Sequence, residues 1–347
     1  MGDYNLPETY IPSFHGDLGS HPYIKTLEYR KLGKTNLRVS QISYGTGFLG
    51  NYYGDYNRSE AIDTIQEGLR FGINYIDSSP WYGSSEEVLG EALKTVPRGA
   101  YYIGTKAGRN FTPGWDGRFD FSASGILKSV ERSLERLGVE YLDVIQIHDI
   151  EFALDPSQIV RETLPALESV VRAGKAKFIG ITTYDVNCLK SVAEQAQVDT
   201  ILSYCRYNLH DTSLTDFVPF FKEKNIGIIN ASPIAMGLLT DAGPPNWHPA
   251  SPQTKVLARK AAELAKQRGT SIDEISLTFS LKPKEPAIAT TLVGMPTRAI
   301  LKENMDVVTK SVTSKDEALF QEFRQFFGNQ NLHWEGVEVD AYKKVVL

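Results

Sequence analysis

The sequence predicts an α/β fold: a single closed (β/α)8 TIM barrel. Three observations point to it. Short apolar runs alternate with amphipathic stretches along most of the chain, which implies a parallel sheet covered by helices. Eight such runs occur, enough for the sheet to close on itself. Asp77, Lys106 and His148 each stand at the end of one run, and Tyr82 lies in the loop just after the first of these. Functional groups gathered at the carboxyl ends of successive strands are what such a barrel provides.

The elements follow in order. Residues 1–24 hold Pro7, Pro12, His15, His21 and Pro22 and read as an N-terminal tail. They contain no continuous apolar core, so they do not read as a signal peptide. The segment 25–38 reads as a hairpin with Gly33, Lys34, Thr35 and Asn36 at its turn, placed to plug the amino-terminal mouth of the barrel. The eight runs span 42–45, 73–77, 101–105, 143–147, 177–181, 200–204, 227–231 and 289–293. In 124–138, Ile126, Leu127, Val130, Leu134 and Leu137 fall at helical spacing, and Gly138 is the stop. In 156–174, Ile159, Val160, Leu164, Leu167, Val170 and Val171 do the same, and Gly174 ends the pattern. Stripes of this kind are core positions. About fifty residues separate the seventh and eighth runs, and the Pro/Gly/Trp-rich stretch 243–249 among them reads as a lid or a substrate wall. The expected organisation is a tail at 1–24, one barrel domain over 25–315 and a C-terminal extension over 316–347.

Composition narrows the function. The chain has 347 residues and a net charge of -5, with no basic block or stripe, so no nucleic acid and no membrane surface is expected as a partner. Cys188 and Cys205 are the only cysteines, too few for a disulfide framework and in keeping with a reducing compartment. No segment approaches the ~18 uninterrupted apolar residues of a membrane span. A cytoplasmic location is the expectation.

The chemistry rests on Asp77, Tyr82, Lys106 and His148. A phenol with its ordinary pKa near ~10 exchanges protons poorly at neutral pH. An ammonium beside it lowers that value. Lys106 can supply the charge, and Asp77 can hold Lys106 through a charge-assisted hydrogen bond. His148 can orient a carbonyl oxygen or share its proton. Together they can protonate a carbonyl oxygen while another group delivers hydride. The string Gly45-Thr46-Gly47-Phe48-Leu49-Gly50 matches a dinucleotide fingerprint, but 51–55 read as a loop and not as the helix that motif requires. Its glycines are expected to let the loop approach a ligand closely. The six histidines form no ligand-spaced cluster, so no metal is expected. No nucleophile-elbow motif supports a serine hydrolase.

In order, spacing and strand position, Asp77, Tyr82, Lys106 and His148 resemble the catalytic tetrad of the aldo-keto reductase superfamily. The likeness runs from about Tyr29 to Val308. The strings 148–152, 201–205, 231–240 and 243–252 are similar to a sugar-dehydrogenase group within it. That group oxidises the anomeric carbon of an aldose, L-galactose-like or D-arabinose-like, to a lactone, usually with NAD. The resemblance implies an extended cofactor over the barrel mouth. Thr182 or Thr183 and Tyr204 would meet the nicotinamide amide, and Gly47, Phe48 and Asp77 would also contact the cofactor. Ser232, Ile234, Gly237 and Leu238 would line the pyrophosphate. Gly294, Met295, Thr297, Arg298, Glu303 and Asn304 would meet the adenosine end. The usual aromatic platform under the nicotinamide falls at Ala231. Tyr53, Trp81, Trp247 and His148 would face the substrate. NADP-preferring relatives carry a lysine and an arginine where this chain has Gly294 and Ile300, so NAD is expected, with NADP left open through Arg298. Two other readings stand beside this one: an NADPH-dependent aldehyde or ketone reductase, and a cofactor-sensing regulatory module like channel β-subunits. The expected partner is a small sugar or aldehyde, and the expected state is a monomer or weak homo-oligomer.

Overall fold

The computed structural model describes residues 6–18, 22–282, 285–328 and 332–347. His21 and parts of the expected tail lie outside the described residues. A two-stranded antiparallel ribbon, β1 (Tyr29–Lys31) and β2 (Arg38–Ser40), precedes the barrel. Then come β3 (Ile42–Gly45), β4 (Tyr75–Asp77), β5 (Tyr102–Ala107) and β6 (Leu142–Ile147). They are followed by β7 (Ala176–Thr183), β8 (Thr200–Tyr204), β9 (Gly227–Ala231) and β10 (Ile288–Val293). These eight are parallel and closed, with β10 pairing β3. Each expected run is a strand, with ends moved by a few residues.

Alternation decides what each strand offers. Tyr75, Val144, Leu202, Ile229, Ala231 and Ala289 share one apolar cluster inside the barrel, with Leu32 and Val39 of the ribbon at its floor. Side chains two residues further along a strand point the same way. Tyr75 therefore implies Asp77 inside, Val144 implies Gln146 and Leu202 implies Tyr204. The other faces pack outward against helices such as Ser85–Leu93 and Ala123–Leu137, where Val88, Leu89, Val130 and Leu137 are buried.

The ribbon plugs the amino-terminal mouth. Its turn is tight: Gly33 has φ +53 and a Cβ there would lie 2.2 Å from the Gly227 nitrogen, so only glycine fits. The described part of the tail is packed down, since Asn74 donates to Thr9 Oγ1 at 2.9 Å and Arg38 to the Leu6 carbonyl at 2.8 Å.

Two expectations need refinement. The helix expected over 156–174 is not uniform: Ile159–Thr163 is a π-turn that leads into Leu164–Arg172. Pro165 has no N–H to give the preceding turn, which favours such a widening. The stretch between β9 and β10 carries the helices Pro252–Gln267 and Ile272–Leu281 after its Pro/Gly/Trp-rich part. At the end of the chain, helix Ser314–Phe327 starts before the expected boundary at 315/316. Tyr342, in the final helix Val337–Val346, packs on Trp115, Phe119 and Phe152. Among the described residues no helix is long and apolar enough to cross a membrane.

Candidate active site

Asp77 ends β4, Lys106 is the penultimate residue of β5 and His148 follows β6 directly. Adjacent strands thus bring three of the four candidates to one mouth. Lys106 Nζ pairs with Asp77 Oδ1 and also donates to the Ser78 carbonyl at 2.8 Å. Gln146 Nε2 donates to Asp77 Oδ2 at 2.6 Å. Each Asp77 oxygen thus accepts one hydrogen bond, and the carboxylate holds Lys106 in place. Tyr82 lies beyond β4, its ring 5.0 Å from Lys106 Nζ and 5.9 Å from the His148 ring. Gly50 makes this approach possible, since a Cβ there would sit 2.6 Å from the Tyr82 carbonyl oxygen. The glycine string thus makes room for the Tyr82 loop, and the segment after Gly45 is a 3-10 turn over Thr46–Gly50, not the start of a long helix.

The electrostatics differ from expectation at one point. Burial works against the Lys106 ammonium, but Asp77 and Tyr82 outweigh it and raise its pKa, so the side chain stays charged. Burial pushes the Tyr82 phenol above its ordinary value, and Asp77 adds to the rise. Lys106 pulls the phenol down as expected, but it does not overcome desolvation. The expected net lowering of Tyr82 is corrected to a net rise. Burial first, then Lys106 and Arg109, hold the His148 imidazole well below its usual range, so it is neutral. Its Nδ1 faces Ser79 Oγ at 2.9 Å, and Ser79 Oγ already accepts the Trp81 N–H at 3.1 Å. The serine proton is free to point at Nδ1, and with it there the ring proton sits on Nε2.

The remaining candidates ring this centre. Gly47 lies between Tyr53 and Tyr82, 3.8 and 3.9 Å from their nearest ring atoms when given a Cβ. Phe48 packs beside Gly294. Thr182 Oγ1 accepts the Asp149 N–H at 3.3 Å, and Thr183 Oγ1 accepts that of Asp185 at 3.0 Å. Tyr204 pairs in register with Ala231, the residue that stands in place of the usual aromatic platform, and packs on the cluster that holds it. Ser232 and Gly237 both have left-handed backbone, as do Ala235 and Met236 between them, and Ile234 lies in the same loop. The N–H groups of Ala235, Gly237 and Leu238 are used within this turn, donating to the Ser232, Ile234 and Ala235 carbonyls at 2.8, 3.1 and 3.1 Å. Leu238 and Met295 are buried in apolar clusters and offer only backbone. Thr297 caps helix Arg298–Thr309 by accepting the Ile300 N–H at 3.3 Å. Arg298 turns to Asp63 and Glu67, at 3.3 and 2.8 Å. Glu303 is exposed, and Asn304 Oδ1 is buried without a partner. Trp247 reaches across the mouth, donating to the Tyr52 carbonyl at 2.9 Å with its ring 5.5 Å from Tyr53. The stretch 243–249 is thus tied to the loop after β3. Among the described residues no group of three or more metal-ligating side chains forms.

Sequence reasoning missed several participants. Gln146 lies two residues before His148, on the same face, and strand periodicity could have found it. Ser79 lies two after Asp77. Arg109 pairs with Asp149 and stacks over Trp81 at 4.2 Å. Asp149 has left-handed backbone, and its Oδ2 lies 3.7 Å from His148 Nε2. No spacing rule signals that pair, because it depends on how two loops fold.

Comparison with known proteins agrees with this architecture. Residues 41–325 match the model of the aldo/keto reductase family. The chain is 44% identical over 292 residues to L-galactose dehydrogenase of Arabidopsis thaliana, covering 82% of this chain and 89% of that protein. It is 29% identical over 307 residues to D-arabinose 1-dehydrogenase of Saccharomyces cerevisiae, covering 82% and 89%. A solved aldo-keto reductase from Bacillus halodurans superposes with a TM-score of 0.69 at 24% identity, over 86% of this chain and 96% of that one. At that identity the likeness concerns the fold alone.

Proposed function

The chain belongs to the aldo/keto reductase family, and we propose that within it the protein is an NAD-linked dehydrogenase oxidising the anomeric carbon of an aldose to the lactone. The observation that carries the reading is the convergence of Tyr82, charged Lys106, Asp77 and neutral His148 at one mouth. The 44% identity to a plant L-galactose dehydrogenase supports the aldose.

A bound nicotinamide supplies the hydride acceptor. Ser232 and the N-terminus of helix Arg298–Thr309 would hold its phosphates, and Asn304, with its unpartnered buried oxygen, the adenosine end. The chain's own residues handle the proton. As the C1 hydride leaves, the C1 hydroxyl proton passes to the Tyr82 oxygen. Lys106 stabilises that oxygen as an anion. Asp77, braced by Gln146, keeps Lys106 in place. The His148 Nε2–H donates to the C1 oxygen and orients it. Burial of Lys106 and Asp77 keeps water away from this charge transfer.

Initial rates with L-galactose, D-arabinose, L-fucose and simple aldehydes, each with both cofactors, test the reading. Aldose oxidation with NAD should dominate. Reduction of simple aldehydes with NADPH and no aldose oxidation would overturn it in favour of a general reductase. Cofactor binding without turnover of any substrate would favour a regulatory module.

A further inference from the structure

His148 has a neighbour that the proton path does not use. Its Nε2 lies 3.7 Å from Asp149 Oδ2, and that same oxygen pairs with Arg109 Nη1. One carboxylate oxygen therefore stands between two nitrogen donors from different loops, Arg109 after β5 and His148 after β6. Both donors are held firmly. Asp149 is 1% exposed, and its N–H donates to Thr182 Oγ1 at 3.3 Å. The Arg109 guanidinium lies 4.2, 5.4 and 5.7 Å from the ring centres of Trp81, Phe119 and Phe152. Trp81 directly precedes Tyr82, and both are partly exposed.

The fork of this guanidinium is only partly used. Nη1 goes to Asp149 and Nε is buried, while among the described residues no acceptor meets Nη2. The side chain keeps 11% of its surface open. Asp149 also balances its charge, which matters for the reaction. Positive charge develops at C1 as hydride leaves, and an unpaired cation beside it would oppose that step. A paired guanidinium offers a strong donor without that penalty. A donor fixed beside His148 Nε2 can meet the sugar oxygen next to the one that Nε2 holds. The ring oxygen is a poor acceptor there, because its electrons are drawn toward C1 in the reaction. The C2 hydroxyl keeps its full accepting capacity.

We propose that Arg109 donates through Nη2 to the C2 hydroxyl of the substrate, with Asp149 positioning it, so that the enzyme selects aldoses that carry a hydroxyl next to the reacting carbon. The inference rests on the aldose reading and narrows its substrate class. A 2-deoxy sugar or a simple aldehyde leaves this donor without its partner. A hydrogen bond to a charged donor is worth about ten- to a hundredfold in kcat/KM.

The test compares kcat/KM for whichever of L-galactose, D-arabinose and L-fucose is oxidised with that for its 2-deoxy analogue. Wild type should favour the parent sugar by about ten- to a hundredfold. Arg109→Lys keeps a charge for Asp149 but has no fork to hold two partners. Arg109→Met combined with Asp149→Asn removes donor and carboxylate together and leaves neither charge buried alone. Both variants should bring the ratio to within about threefold, by lowering the parent's value more than the analogue's. The ratio is the readout, because a merely structural role would lower both values together and leave it unchanged. A wild-type ratio near one overturns the inference while the aldose reading stands. So does a ratio that survives in the double variant, or in Arg109→Lys where the double variant does not fold. If none of these sugars is oxidised, the aldose reading fails first and the inference falls with it.

Discussion

The two ends of the barrel solve opposite problems. At the amino-terminal end, Leu32 and Val39 of the ribbon close the floor with apolar contacts to Tyr75, Val144 and Leu202. Besides glycines, the left-handed residues described there are Asn36 and Asn225, a type that tolerates that conformation. At the carboxyl end, Cys205, Ser232, Ala235 and Met236 adopt it instead, although their side chains disfavour it. Such residues typically cost ~1–3 kcal/mol each and persist only when the surroundings hold them. The same end carries buried ion pairs and the unpartnered oxygens of Asp149, Glu151 and Asn304. Backbone strain outside glycine is thus concentrated at the carboxyl end, while buried polar atoms without partners occur at both, Tyr75 Oη among them. Stability is concentrated where no ligand binds, and strain is kept where chemistry is proposed. Substitutions at the two ends should therefore fail in different ways.

The largest separation is expected between Tyr82→Phe and Leu32→Ala. Removing the Tyr82 hydroxyl keeps the ring, so turnover should fall ~10²–10⁴-fold, as for loss of a general acid–base group, with the melting temperature nearly unchanged. Leu32 is fully buried, and its truncation should cost ~2–5 kcal/mol of unfolding free energy, with kcat of the folded enzyme nearly unchanged. Denaturant unfolding and initial rates on both variants measure this. A Tyr82→Phe enzyme that keeps more than a tenth of wild-type turnover, with chemistry rate-limiting, removes Tyr82 from the proton path. A Leu32→Ala enzyme that loses turnover while folded breaks the division between the two ends.

The next effect is a shift along the pH axis. Aldose oxidation needs the Tyr82 phenolate, and burial raises its pKa, so the oxidation rate should climb as pH rises. Carbonyl reduction needs the protonated phenol and should fall over the same range. Lys106 stabilises the phenolate, so Lys106→Met should move the alkaline limb to still higher pH. The check is the pH dependence of kcat for both directions. A limb that stays in place in the variant removes Lys106 from this role.

The same division explains what could be read from the sequence. Every barrel strand and the plugging ribbon were legible, because apolar runs and turn residues are local signals. Asp77, Lys106 and His148 were legible because they sit at strand ends, where residue type and position suffice. The direction of the Tyr82 shift was not, since it depends on how deeply the loop buries the phenol as well as on which charge stands nearby. The place of Trp334 was not legible either: it stacks on Tyr184 from the end of the chain, and no spacing predicts where a terminal segment packs. The π-turn at Ile159–Thr163 was hidden in an unbroken apolar stripe, with only Pro165 as a clue.

The smallest expected effect concerns cofactor choice, at the edge of the strained end. A 2′-phosphate is costly to bury without a paired cation. A lysine and an arginine at positions 294 and 300 would each contribute about 1.5–3 kcal/mol as charged hydrogen bonds, and this chain has glycine and isoleucine there. The N-terminus of helix Arg298–Thr309 offsets only ~0.3–1 kcal/mol. Arg298 is engaged with Asp63 and Glu67, and these carboxylates would face any phosphate it drew in. Both pairs are exposed at the surface and hold the arginine by no more than ~1 kcal/mol. Carboxylate repulsion, more than the strength of the pairs, therefore decides the outcome. The balance favours NAD by about tenfold or more in kcat/KM. Arg298→Ala should change the value for either cofactor less than about threefold, while Asp63→Asn combined with Glu67→Gln should raise the NADP value several-fold by freeing the guanidinium. Measuring kcat/KM for both cofactors in these variants decides it. A wild-type preference for NADP that collapses in Arg298→Ala would mean that one arginine leaves its carboxylates to clamp the phosphate, and that the carboxyl end holds more flexibility than its strained loops suggest.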